Sequence, residues 1–193
     1  ARASCPGAFL ANGSICAVCY ADKRHRYRWT SVQRTQVARF AWTVAALATG
    51  TFVPVLVGAI TARAERYFRI HDSGDFFAPE YARAWRDIAH ALPAVRFWSP
   101  TRSWAVAGNP RHPDDPLLRA LVALAALPNV VIRPSALVLE DPAPAVPGLA
   151  AGSTVTEDPA RVTCPKSRTV PAHCGSCRVC WDAPAVPVTH LRH

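Results

Sequence analysis

The chain predicts an α/β fold, an open parallel sheet or partial (β/α) barrel with cysteine-rich terminal segments. Three observations lead there. Apolar strand-like runs alternate with helical periodicities through the middle of the sequence, and each run ends in a polar turn. All seven cysteines lie before residue 20 or after residue 163. A strand, a crossover helix and a second strand form the βαβ unit, which makes neighbouring strands parallel.

Residues 1–29 read as irregular, with Cys16-Ala-Val-Cys19 as a tight knuckle. Thr30 or Ser31 can cap a helix to Ala48 whose apolar face is Val37, Phe40, Ala41, Val44, Ala45 and Leu47. Gly50 stops it, and a second helix follows over Val53–Glu65, with Pro54 tolerated in its first turn. Tyr67–His71 is the first strand and Asp72–Asp75 its turn. Pro79–Leu92 is a helix with Tyr81, Trp85, Ile88 and Leu92 on one side. Val95–Trp98 is the second strand, closed by Ser99-Pro100, and a Pro-, Gly- and Asp-rich loop leads to a helix over Pro116–Leu127. Val130–Ile132 is the third strand, and Ser153–Thr156 offers a short fourth. Too few strands exist for a closed eight-fold barrel. The expected organisation is a single domain over 1–193, with irregular metal-binding ends at 1–29 and 157–193 around an α/β body at 30–156.

With 193 residues and 50% hydrophobic content, the chain can bury a sizeable core. Pro54 and Gly58 interrupt the apolar run Phe52–Ile60, well short of the ~20 residues a membrane helix needs. Residues 1–15 lack the unbroken apolar stretch of a signal peptide. The expected setting is cytosolic, away from membranes. The formal charge of +9 is almost all arginine, since Lys23 and Lys166 are the only lysines. The run Lys23–Arg24–His25–Arg26–Tyr27–Arg28–Trp29 is dense enough to meet phosphates, with a solvated loop or an offset to the charge of a bound cofactor as the alternatives.

Function in parallel α/β sheets gathers at the C-terminal strand ends. There the sequence places His71, Asp72, Ser73 and Asp75, then Ser99, Thr101, Arg102 and Ser103, then Arg133 and Ser135. The catalytic candidates are His71, Asp72, Ser73, Asp75, Arg102 and Arg133. Each also has an ordinary structural explanation, as a turn residue, a helix cap or a satisfied core imidazole.

The odd cysteine count argues against a complete disulfide framework. Cys174-x₂-Cys177-x₂-Cys180 is as compact as the loop that wraps a cubane cluster in ferredoxins, and Cys164-Pro165 supplies a further Cys-Pro pair. Zinc can use the same ligands. Cys5, Cys16 and Cys19 form a trio without a fourth thiolate. Either the trio holds a [4Fe-4S] cluster with one open iron, or the two chain ends meet at one shared site. His71, His173 and His190 are stand-in ligands. Tyr20 and Trp181, each beside a cysteine, are candidate cofactor neighbours together with Ser73.

Cys5-Pro6-Gly7, Cys16-Ala17-Val18-Cys19-Tyr20, Phe68-Arg69-Ile70-His71-Asp72-Ser73-Gly74-Asp75-Phe76, Arg96-Phe97-Trp98, Thr101-Arg102-Ser103 and Cys174-Gly175-Ser176-Cys177-Arg178-Val179-Cys180-Trp181 resemble the phage family called gene product eighty-eight. The resemblance spans nearly the whole chain and implies a phage origin in a host-cell cytosol. A more distant similarity is to radical S-adenosylmethionine enzymes, with their cysteine trio, an aromatic after the last cysteine, and a polar turn after a strand. That superfamily spaces its trio C-x₃-C-x₂-C, whereas ten residues separate Cys5 from Cys16 here. This similarity implies S-adenosylmethionine at an open iron, contacted by Ser73 or Asp75. The expectation is an iron–sulfur protein with redox or radical-type catalysis at a cluster facing the strand ends, served by a small molecule or an electron donor. The alternative is a non-catalytic protein stapled by zinc or a cluster, recognising nucleic acid or a host protein through its Arg-rich surface.

Overall fold

A computed structural model describes residues 4–19, 21, 27, 29–168 and 174–192, without the side chains of 167 and 168. Tyr20, His173 and the basic run apart from Tyr27 and Trp29 lie outside the described residues. The helices are α1 (Thr30–Ala48), α2 (Phe52–Arg63), α3 (Pro79–Ala91), α4 (Pro116–Ala125) and the single turn α5 (Val179–Asp182). The strands are β1 (Tyr67–Arg69), β2 (Arg96–Thr101), β3 (Ala105–Val106), β4 (Asn109–Pro110), β5 (Val130–Pro134), β6 (Ser153–Thr156) and β7 (Val188–Leu191). No described helix is long and apolar enough to cross a membrane.

The architecture is mixed α/β with parallel sheets and no closed barrel. β1, β2 and β5 form a parallel sheet in that order, and β6 pairs parallel with β7. A parallel bridge between Ser135 and Ser153 ties the two sheets, through Ala136 N–H donating to the Ser153 carbonyl at 2.8 Å. β3 and β4 make a small hairpin that the sequence presents only as a loop. Its turn residues Ala107 and Gly108 both have positive φ, as a tight two-residue hairpin turn demands.

Strand alternation gives the main sheet two different faces. Phe68, Phe97, Val130 and Ile132 point to α2, α3 and α4, where Phe76, Ile88, Leu121 and Leu124 complete a fully buried core. Tyr67, Arg69, Trp98 and Arg133 point the other way, towards α5. Buried Asn129 anchors the core face, its amide reaching the carbonyls of Ala89, Leu92 and Val95 at 3.0–3.1 Å and so capping the end of α3. Asp115 caps α4 through the amides of Leu117 and Leu118.

Two expectations are corrected. Ser99-Pro100 does not close the second strand, because β2 continues to Thr101 in register with β5. Phe97 N–H and the Thr101 carbonyl bond towards β5, and the Trp98 carbonyl bonds towards β1. By alternation Pro100 also faces the β1 side, where β1 has already ended, so its missing N–H leaves no ladder bond unmade. The apolar face assigned to α1 is corrected in part: Val37 is 70% exposed and Val44 47%, whereas Leu47 and Phe40, paired edge-on with Phe77, do pack towards the core, joined by buried Ala46.

Candidate functional site

The C-terminal edge of the sheet gathers the residues of the His-Asp-Ser-Gly-Asp turn, and their partners define what each does. His71 turns into the core. Its Nδ1 lies 3.0 Å from Ser99 Oγ and its Nε2 3.1 Å from Tyr81 OH. Ser99 donates its own hydrogen to the Pro100 carbonyl, which assigns the Nδ1–H tautomer, with Tyr81 donating to Nε2. Burial, with nearby Arg69, lowers the His71 pKa to about 3, and burial pushes Tyr81 up to about 12. A neutral, fully partnered imidazole of this kind locks the end of β1 to β2 and α3.

Asp75 is buried and accepts three hydrogen bonds of 2.7 Å, from Thr101 Oγ1, Phe76 N–H and Arg102 N–H. Desolvation outweighs these bonds and raises its pKa. One carboxylate thus fastens the turn after β1 to the end of β2. Asp72 is exposed and accepts from Tyr27 OH at 2.7 Å. Ser73 is half-buried and makes no side-chain hydrogen bond among the described residues. Arg102 Nε donates to the Ala136 carbonyl at 2.9 Å, bridging the ends of β2 and β5.

The N-terminal cysteines are brought to this edge by main-chain contacts. Asp75 N–H donates to the Ser4 carbonyl at 2.7 Å. Gly74, at φ +82°, faces Ser4, and Gly7 lies so close to β2 that a Cβ there would sit 2.0 Å from the Arg102 carbonyl oxygen. The knuckle Ile15–Val18 is a 3₁₀ turn capped by Ser14 Oγ on the Cys16 amide, and Ile15 N–H docks on the Leu137 carbonyl beyond β5. Cys5 is pushed up to about 12, by burial first and then by Asp75, Cys19 and Cys16. The trio therefore shares one neighbourhood.

The C-terminal cysteines gather on the α5 side of the sheet. Arg178 clamps their turn by donating to the Gly175 and Cys177 carbonyls at 2.8 Å, and its guanidinium stacks on Tyr67. Trp181 packs on Trp98 and Tyr67 and donates to the Phe68 carbonyl at 3.2 Å. Arg133 is fully buried, its guanidinium reaching the carbonyls of Ala183 at 3.2 Å and Val186 at 2.6 Å, and that of Ala151. Cys180 rises to about 11, by burial above all, while Arg133 lowers it and Cys164, Cys174 and Cys177 add to the rise. All seven cysteines are free thiols. Among the described residues, no three His, Cys, Asp or Glu side chains converge as a single metal ion requires.

Sequence reading missed Gly7, Tyr27, Tyr81, Asn129, Arg69 and Trp98. Gly7 was within reach, because a glycine two residues after a candidate ligand is a signal of close backbone approach.

An open parallel α/β sheet, with one thiol group at its C-terminal edge and another across one face, describes the class of protein. The chain belongs to the Gene product 88 family, whose model matches residues 1–183. It is similar to the Gene 88 proteins of Mycobacterium phage L5, 34% identical over 109 residues, and of Mycobacterium phage D29, 33% identical over 109 residues. Each match takes in 51% of this chain and 43% or 42% of the relative, less than half of its length. No solved structure matches. These relatives carry the phage-family resemblance; none is described as a radical S-adenosylmethionine enzyme.

Proposed function

We propose that this protein is an iron–sulfur protein in which Cys5, Cys16 and Cys19 hold a [4Fe-4S] cluster at the C-terminal edge of the sheet. One iron would be left open for redox or radical-type chemistry, in the reducing cytosol of a phage host. The observation that carries this reading is the seating of the trio: Gly7 against β2, Ser4 on Asp75, and the knuckle on the loop after β5. Each thiolate of a four-iron cluster binds its own iron, so such a cluster asks for neighbouring sulfurs rather than sulfurs aimed at one point. The donor set fits that demand, since the trio is mutually close and partly covered. Bound there, the cluster would supply one-electron chemistry and an open coordination position.

The protein's own residues have separable tasks. Asp75 and Arg102 hold the edge together, and His71 fixes the turn from the core side. Ser73 keeps its hydroxyl available for a ligand's polar group, which is why it remains the candidate contact for S-adenosylmethionine.

Anaerobic purification followed by iron and sulfide analysis and electron paramagnetic resonance tests the reading. A cubane signal and iron content that fall in Cys16→Ser by one cluster support it, and a Cys16→Ser variant with undiminished iron, or iron-free folded protein, overturns it. Release of 5′-deoxyadenosine from S-adenosylmethionine by the reduced protein tests the radical branch.

A non-catalytic, metal-stapled protein that binds nucleic acid or a host protein is the second reading. It is favoured by His71, Asp75 and Arg133 all being committed to internal hydrogen bonds. Zinc in place of iron, with retarded nucleic acid in a mobility assay, would select it.

A further inference from the structure

We infer that Cys164, Cys174, Cys177 and Cys180 form a closed four-thiolate iron–sulfur site of their own on the α5 side of the sheet, apart from the N-terminal trio. The inference goes beyond the reading above and does not depend on it, because the two thiol groups can be removed independently.

Separation comes from the topology. The trio sits where β1 and β2 end, against Gly74, Asp75 and Arg102. Cys174 and Gly175 instead line an open cleft of about 560 Å³ with Ala64, Glu65, Arg66 and Tyr67, where β1 begins. Six-residue β2 runs about 20 Å between those ends. α5 crosses the face between them, held by Trp181 on Trp98 and by Arg96 paired with Asp182 at 3.4 Å. Cys180 interacts electrostatically with Cys164, Cys174 and Cys177.

The surroundings suit an anionic sulfur centre. Among the described residues, Arg133, fully buried, leaves its Nε–H without a partner, and Trp98, 7% exposed, leaves its indole N–H without one. Arg69 Nε, stacked over Trp98, is a third such donor. Three buried N–H groups with no oxygen acceptor cost free energy unless something accepts from them. All three belong to the face on which α5 and its Cys180 lie, and Arg133 interacts electrostatically with Cys180. Thiolate and sulfide sulfurs carrying the net negative charge of a four-cysteine cluster are acceptors of the required kind. The C-x₂-C-x₂-C spacing spreads the sulfurs over separate irons rather than one tetrahedral zinc. With four ligands and no open position, such a centre relays single electrons and binds no substrate.

The test uses the full chain, purified anaerobically and reconstituted with iron and sulfide. It compares wild type with the triple variants Cys5→Ser/Cys16→Ser/Cys19→Ser and Cys174→Ser/Cys177→Ser/Cys180→Ser. Iron content and Mössbauer spectra are read alongside circular dichroism to confirm folding. The expected result is a four-iron cluster that survives in the N-terminal variant and is missing from the C-terminal one. A C-terminal variant with undiminished iron, zinc in place of iron at these cysteines, or loss of all iron from both folded variants overturns the inference. Loss of the N-terminal cluster alone bears only on the proposed function. Should the C-terminal triple variant fail to fold, Trp98→Phe keeps the ring and removes the N–H. Its C-terminal cluster should keep its iron and shift to a more negative midpoint potential, whereas an unchanged potential overturns the inference.

Discussion

At the scale of single residues, the His-Asp-Ser-Gly-Asp turn is legible in the sequence as a site, but its chemistry is not. An alternating polar run after a strand says where side chains gather; it does not say which are already satisfied. Asp75 shows the difference. Replacing it with Asn presents an N–H₂ group to N–H and O–H donors, leaving a buried donor unpaired at a cost of about 1–3 kcal/mol in denaturant titration. Arg133→Met should cost about 3 kcal/mol, because buried carbonyls of the C-terminal segment lose their charged donor. His71 sets a pH dependence. Its pKa is 6.5 in the unfolded chain and about 3 in the folded one, so between those values only the unfolded state takes up the proton. Stability therefore falls as pH drops from about 6.5 towards 3 and is unaffected by this group above that window. A His71→Gln variant should show a flatter profile over the same range in thermal melts.

Elements were legible where burial is one-sided and regular. α3 and α4 carry clear apolar faces, and β5 is a short apolar run buried on both sides, so each was readable from periodicity. β7 and the β3–β4 hairpin escaped, because two to four residues of mixed character carry no period. In α1 apolar residues surround the helix, so composition cannot say which side meets the core. The contacts decide it, and they make a prediction. Val37→Ser should change stability by less than about 0.5 kcal/mol, as at an ordinary surface position. Phe40→Ala, which strips a ring from Phe77, should cost clearly more in the same urea titration.

For the whole molecule, the sequence left open whether the thiols from the two chain ends share one site. Their placement depends on contacts that no local pattern encodes: Gly7 on Arg102, Ser4 on Asp75, and Arg133 on residues 151, 183 and 186. Gly7→Ala tests the first. A methyl group forced against the β2 main chain should destabilise the protein by about 1–3 kcal/mol and lower its iron content on anaerobic isolation, while Gly58→Ala, which meets open space, should do neither.

The seat of Gly7 also bears on the order of events during synthesis. A ribosome makes Cys5, Cys16 and Cys19 long before it makes Asp75, Arg102 and Leu137, the residues on which they rest. These thiols emerge into solvent with nowhere to dock until the rest of the sheet has been translated. Any inorganic cargo they carry would accordingly be loaded only after the segments around Asp75, Arg102 and Leu137 have been translated.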